Sequence, residues 1–360
     1  MTRLPTDRTL RVRLIPGDHD YTTSLARRFS AATLVDPAPQ QMPLDATACE
    51  RLCAGVDLVH IGWPEHLFAL DGLGEDDYQQ RYLHLLEQIA REPVALIWTL
   101  HNRLPHTRSQ QTFAPIYAAW SRVCHGLIHH SRWGMELIRS ELGFRPEALH
   151  RVLPHGHYAD LMECPLSRQQ AAEQLGLPPD EAVYGVLGRA QASKRVELIV
   201  EAFAQSSARA RLYIEAITRE QVDRLDPTLR DDPRITLRPR NGWLPRSELA
   251  RSTRAVDALV LAHEGPTYLT SGLIADGIGA ARAMLVPETP FFQEMLGPAA
   301  CYHANTRESL TRLFNSLDRA RLLAAGAGMQ ALQPAFDWGP IAQATETLYR
   351  EAVRLRCTAL

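Results

Sequence analysis

The chain lacks the features that settle function quickly in many sequences. No run of about 18 or more apolar residues occurs in it, so no membrane-spanning helix is expected. The opening MTRLPTDRTLRVRLIP holds no apolar stretch leading to a small-residue cleavage site, so a signal peptide is not expected either. Neither G-x-x-x-x-G-K-[ST] nor G-x-G-x-x-G is present, which removes the Walker loop and the dinucleotide fingerprint. A formal net charge of −2 gives no basic surface for non-specific nucleic-acid binding. Only Cys49 and Cys53 lie near each other, at i,i+4 spacing, and no second pair completes a zinc site. Reduced thiols in a cytoplasmic protein are the expectation. Arginine heavily outnumbers lysine, which reads as genome composition. No solenoid repeat and no low-complexity segment occurs.

What is present is an alternation of apolar, β-prone runs with helical patterns. Strands are expected at Leu10–Ile15, Asp57–Ile61, Val94–Leu100, Gly126–His129 and Ala148–Leu153. The pattern restarts with Ala182–Leu187, Arg211–Ala216, Ile235–Arg238, Ala255–Leu261, a buried strand ending near Pro287 and a weak one at Ala300–Tyr302. The fold class is α/β: two α/β halves, 1–158 and 170–335, and a final amphipathic helix, Phe336–Arg354. With 360 residues, 45% of them hydrophobic, two cores can form. A cleft between such halves is the expected small-ligand site.

In the first half, polar residues follow the strands: Asp18 and His19, Glu65, His101 and Asn102, and His155. A parallel sheet gathers its carboxyl ends on one edge, so these residues are expected together. Asp20, Glu65 and His155 are candidates for contact with the acceptor or sugar, and Trp63 and Tyr158 could stack on a sugar face. Each has a plainer reading. A lone histidine is a surface loop residue, Asp18 and Asp20 cap the helix before Tyr21, Glu65 is a loop acid, and Trp63 and Tyr158 fill loop packing. In the second half, Gly188-Arg189 and Lys194-Arg195 follow the first strand, where cations could grip a diphosphate. Further on, Glu264 is followed by Thr270-Ser271-Gly272, which reads as a helix start with free backbone N–H donors. A carboxylate beside such a helix start suggests a nucleotide-sugar site, and an ordinary βαβ turn is the alternative.

The pieces DLVHIGWPE, WTLHNRLPH, HHSRWG, LPHGHY, VLGRAQASKRVELIVEAF, NGWLPRSELARSTRAVDALVLAHEG, TSGLIADGIGAARAMLVPE and FDWGPIAQATETLY run through almost the whole chain. In this order they resemble the GT-B glycosyltransferases, close to glycosyltransferase family 4 and to the β-1,4-mannosyltransferases of bacterial exopolysaccharides such as xanthan. The resemblance implies two Rossmann-like domains, 1–158 and 170–335, facing a central cleft, with the acceptor bound by the first, the nucleotide sugar held by the second, and a closing helix, 336–360, that crosses back to the first. It matches Arg189 and Lys194 to the basic pair on the diphosphate, Glu264 to the first acid of an E-x7-E motif, and His101 to a histidine facing the donor sugar. The second glutamate of that motif is missing, since Gly272 stands in its place. In the wider family that glutamate reaches the ribose, so ribose binding is left unassigned; TSG instead resembles the β-mannosyltransferase-like branch, where backbone amides around Thr270–Leu273 could hold phosphate.

The implied activity is metal-independent transfer of a hexose, with mannose from GDP-mannose as the named candidate, to a hydroxyl acceptor such as a lipid-linked oligosaccharide. No cofactor beyond the donor substrate is expected. The branch favours inversion, which needs a general base; Asp18, Asp20, Glu65, His101 and His155 are the candidates. Alternatives are transfer from a UDP-sugar to a small natural product or modified nucleobase, and a non-catalytic GT-B-like subunit. The expected location is cytoplasmic, with peripheral membrane contact through Arg27, Arg28 and the Arg132–Arg139 helix as an option.

Overall fold

The computed structural model describes residues 8–105, 108–242, 244–263 and 269–358. Glu264, and with it His106 and Trp243 of the motifs quoted above, lies outside the described residues. The chain divides into two compact units: Met1–Gly156 with Pro266–Thr270 and Asp337–Leu360, and His157–Gly265 with Ser271–Phe336. Tyr158 therefore belongs to the second unit, and the closing helix to the first.

The first unit holds a six-stranded sheet of β1 (Leu10–Ile15), β2 (Thr33–Pro37), β3 (Leu58–Ile61), β4 (Ala95–Leu100), β5 (Gly126–His129) and β6 (Leu149–Val152). The order is β2-β1-β3-β4-β5-β6 and every pairing is parallel. All six residues of β4 are buried, as a strand covered on both faces requires. Its side chains alternate between two cores. Leu96, Trp98 and Leu100 pack with residues of the helices Glu75–Ile89 and Gln110–Val123. Ala95 and Ile97 meet Leu348, Tyr349, Ala352 and Val353 of the closing helix, Trp338–Thr358. That i, i+1, i+4, i+5 spacing is one helical stripe. Each large side chain so buried is worth roughly 1.5–3 kcal/mol.

Polar contacts fix the closing helix on this face. The Tyr349 hydroxyl lies 2.5 Å from His60 Nδ1, and His60 Nε2 lies 2.7 Å from Thr99 Oγ1. Burial drives the His60 pKa down to about 3, so the ring is neutral. Glu346 accepts hydrogen bonds from Ser30 N and Oγ and from Thr33 Oγ1. Thr33 opens β2, a strand not anticipated from sequence. Its TLVDP is short, half-exposed and ends in proline, as edge strands often do.

The second unit holds β7 (Ala182–Val186), β8 (Ala210–Ile214), β9 (Ile235–Leu237), β10 (Ala258–Val260), β11 (Ala283–Pro287) and β12 (Cys301–His303). Their order is β12-β11-β10-β7-β8-β9, again all parallel. Asp257 interrupts the apolar run before β10, and the structure supplies the reason. Its carboxylate is buried and takes Arg168 Nε at 2.8 Å, Arg168 Nη2 at 2.6 Å and the amide of Val183 at 2.9 Å. Removing one side of such a pair leaves an uncompensated charge. Asp257→Ala should therefore cost about 3–5 kcal/mol in urea unfolding. A loss below about 1 kcal/mol would mean that the pair contributes little beyond a surface ion pair.

Candidate functional site

In a doubly wound sheet the ligand crevice lies outside the strand carboxyl ends where the strand order reverses. In the second sheet that point falls between β7, which leads to β8 and β9 on one side, and β10, which leads to β11 and β12 on the other. The segment after β7 carries Gly188, Arg189 and Lys194. Arg189 is half-buried. Lys194 is 6% exposed, and its Nζ donates to the carbonyl of Leu187 at 2.7 Å. Burial pushes its pKa down to about 7, with the Asp276 carboxylate pulling the other way. Lys194 is also the only lysine in the chain; every other Lys or Arg position holds arginine. That count was available in the sequence and was read only as composition.

Gly188 makes room for the ammonium. Its φ is +85°, and a Cβ there would stand 3.1 Å from Lys194 Nζ. On the β10 side, Ser271 is the N-cap of the helix Gly272–Gly279, and its side chain makes no cap hydrogen bond. Gly272 is exposed and Thr270, which belongs to the first unit, is half-buried. The same helix carries Asp276, 2.6 Å from Arg246 Nη1. The Arg246 guanidinium lies 4.6 Å from the Tyr158 ring centre. Tyr158, read as a sugar-stacking residue of the first half, is thus a buried residue of the second, packed beside an arginine. Sequence reasoning also missed Arg219, Arg230, Arg238 and Arg240, which line a cleft of about 610 Å³ beyond β8 and β9.

In the first sheet the order reverses between β1 and β3. The loop after β1 carries Asp18, which is exposed, and Asp20, the first residue of the helix Asp20–Ala26. The helix cap expected of these aspartates belongs to His19 instead, whose Nδ1 accepts the Tyr21 amide proton at 3.1 Å. After β3, the half-buried Trp63 stacks on His101 at 4.0 Å between centroids and 10° between planes. Glu65 is not a loop acid. It is 2% exposed in the turn Pro64–His66, where it accepts from the Tyr117 hydroxyl at 2.6 Å and from Asn102 at 3.5 Å. Burial raises its pKa above the usual carboxylate range.

His101, at the end of β4, is 2% exposed. Burial first, and then His130, His155, His19 and His60 around it, hold its pKa well below the ordinary histidine range. His155 is buried as well, its Nδ1 donating to the Gly156 carbonyl at 2.9 Å. Tyr21 meets His101, His130 and His155 at ring distances of 4.6, 5.5 and 5.0 Å. Three histidines and a tyrosine thus share one edge of the sheet. Among the described residues, no group of three or more His, Cys, Asp or Glu is placed to hold a metal ion.

The same two-sheet architecture occurs in solved structures. Sucrose-phosphate synthase from Thermosynechococcus elongatus is 14% identical, with a TM-score of 0.72 over 95% of this chain and 98% of that one. HepE from Anabaena, solved in complex with UDP and glucose, is also 14% identical, with a TM-score of 0.70 over 94% and 99%. The chain has the GT-B fold. A glycosyltransferase from Rickettsia africae gives 12% identity and a TM-score of 0.68 over 96% and 99%. At these identities the likeness is one of fold. No protein-family model and no curated protein sequence matches the chain.

The Gly188–Lys194 contact in this GT-B unit can be tested alone. Gly188→Ala forces an L side chain into a left-handed backbone and against the ammonium. We expect a loss of about 1–2 kcal/mol in denaturant unfolding. An unchanged midpoint would mean that the loop relaxes freely.

Proposed function

We propose that the protein is a glycosyltransferase that moves a hexose from a nucleoside-diphosphate sugar to a hydroxyl acceptor. The observation that carries the reading is Lys194, the single lysine, buried at the second sheet's switch point with a pKa near 7. A buried ammonium with one carbonyl partner needs an anion to hold its charge. A diphosphate supplies that charge, and the start of the helix Gly272–Gly279, where the Ser271 side chain makes no cap hydrogen bond, suits the same group. Arg189 adds a bidentate cation.

In the reaction, an acceptor oxygen bonds to the anomeric carbon as the bond from that carbon to the diphosphate oxygen breaks. Lys194, Arg189 and the amides around Ser271 and Gly272 would stabilise the departing diphosphate, the part of the barrier electrostatics lowers most. We assign inversion, with Asp18 as the base that takes the acceptor proton; its carboxylate is exposed beside the first sheet's switch point. His101 is too weak a base for that step and suits contact with a sugar hydroxyl. Glu264 keeps the place beside the donor sugar that the resemblance gives it. Mannose from GDP-mannose is the donor implied by the resemblance, whereas HepE was solved with UDP-glucose. No helix among the described residues is long and apolar enough to cross a membrane, so a lipid-linked acceptor would be met by peripheral contact through Arg27 and Arg28, both exposed.

A thermal-shift screen with GDP, UDP, ADP, TDP and CDP tests the reading. At about 100 times Kd a ligand adds roughly 2.7 kcal/mol to stability. A shift selective for GDP supports the mannose donor, and one selective for UDP replaces it with a UDP-sugar. Lys194→Met should abolish the shift while leaving the free protein as stable or more so, because it removes a buried charge. No shift with any nucleotide would favour a non-catalytic subunit.

A further inference from the structure

The histidines at the ends of β4 and β5 form a chain whose proton positions follow from their partners. His130 Nδ1 lies 3.0 Å from the carbonyl oxygen of Leu153, and His130 Nε2 lies 3.2 Å from His101 Nδ1. A carbonyl oxygen only accepts, so Nδ1 of His130 carries the hydrogen. A neutral imidazole has one N–H, which leaves a lone pair on His130 Nε2. His101 Nδ1 must then be the donor to it, and the lone pair of His101 falls on Nε2. Turning the His130 ring over would break both contacts, and turning the His101 ring over would break the one between the two rings.

Both rings are neutral at ordinary pH. His130 is buried, which brings its pKa down to about 4, and His101 is held low by burial and by the histidines from every neighbouring loop: His19 after β1, His60 on β3, His130 after β5 and His155 after β6. His101 Nε2 itself is buried and has no hydrogen-bond partner. Leaving such a group unpaired is costly. The neighbouring strand end leaves room beside it: Gly62 stands there, and a Cβ on Gly62 would lie 3.6 Å from Nε2, in van der Waals contact. Trp63 covers a face of the ring and Tyr21 meets it edge-on, so the imidazole is locked in place.

We propose that His130 is a positioning residue that fixes His101 in the tautomer with a bare lone pair on Nε2, so that in the sugar contact suggested above His101 can act only as a hydrogen-bond acceptor. The identity of the ligand rests on the function proposed above; the tautomer does not. The arrangement selects an O–H donor, because a phosphate or carboxylate oxygen has no proton to give and would meet the lone pair with its own. His101 then distinguishes a sugar that bears a hydroxyl at that position from one whose hydroxyl is missing or replaced by an acid.

The test is nitrogen NMR of the full chain labelled with 15N-histidine, the His101 signals being identified by their loss in His101→Gln. The ligand-free protein should show His101 Nδ1 as an N–H and Nε2 as an unprotonated nitrogen. In His130→Phe, checked for folding by circular dichroism, the proton should move to Nε2, and kcat/KM for the donor that the nucleotide screen selects should fall roughly 10–100-fold. His130→Gln, whose amide can donate to Leu153 and accept from His101, should recover part of both. A protonated Nε2 in the wild type overturns the proposal without any variant being needed. So does a His130→Phe protein that keeps the tautomer and the activity. The expected tautomer in a protein that turns over no nucleotide sugar supports His130 as the positioning residue and refutes the functional reading alone.

Discussion

Holding one ammonium out of water sets the terms for the second unit. Lys194 sits beneath the loop after β7 with a single carbonyl acceptor, Leu187 O, and its proton is only loosely held. The surroundings are built to that side chain. Gly188 takes a left-handed conformation so that no Cβ crowds the nitrogen, and Asp276 lends a partial counter-charge from the facing helix while itself paired to Arg246. Arginine fills every other Lys or Arg position of the chain. A guanidinium at this position would keep its charge at any ordinary pH. On the function proposed above, a compact amine can instead take up its proton as the diphosphate binds.

The first unit solves a related problem with uncharged groups. Its parallel strands bring His101, His130 and His155 to one edge, and burial keeps them neutral. Neutral imidazoles can still be ordered by hydrogen bonds, each fixing the next from a backbone carbonyl inward. The sheet beneath depends on the closing helix, whose Tyr349 and Glu346 tie to β3 and to the start of β2. One unit therefore holds a buried amine, the other a set of buried neutral imidazoles.

Much of the fold was legible because buried parallel strands are contiguous apolar runs. VALIWTL and GLIH announce β4 and β5 almost to the residue. The edge strand β2 was not legible, since TLVDP is short and half-exposed, and neither were the short polar helices Arg219–Arg224 and Pro227–Arg230. In the site, His101 and Lys194 stood out because each follows a clear strand. The link between His130 and His101 did not, because it depends on which strand ends become neighbours. Asp276 and Arg246 were hidden for the same reason: thirty residues apart, they meet only in the folded chain. Tyr158 went to the wrong half because nothing in LPHGHY marks where one unit ends.

The central claim is that Lys194 changes its protonation when a nucleoside diphosphate binds. With one lysine in the chain, protein grown with 13C-lysine gives a single side-chain Cε signal that needs no assignment. Its pH titration, with and without the nucleoside diphosphate that binds, measures the claim directly. The account predicts a midpoint near 7 in the free protein, moving well upward when the diphosphate is bound, so that binding near pH 8 takes up a proton and weakens as pH rises further. A free-protein midpoint near the ordinary lysine value of about 10.5 would contradict the account, as would a midpoint that saturating diphosphate leaves unmoved.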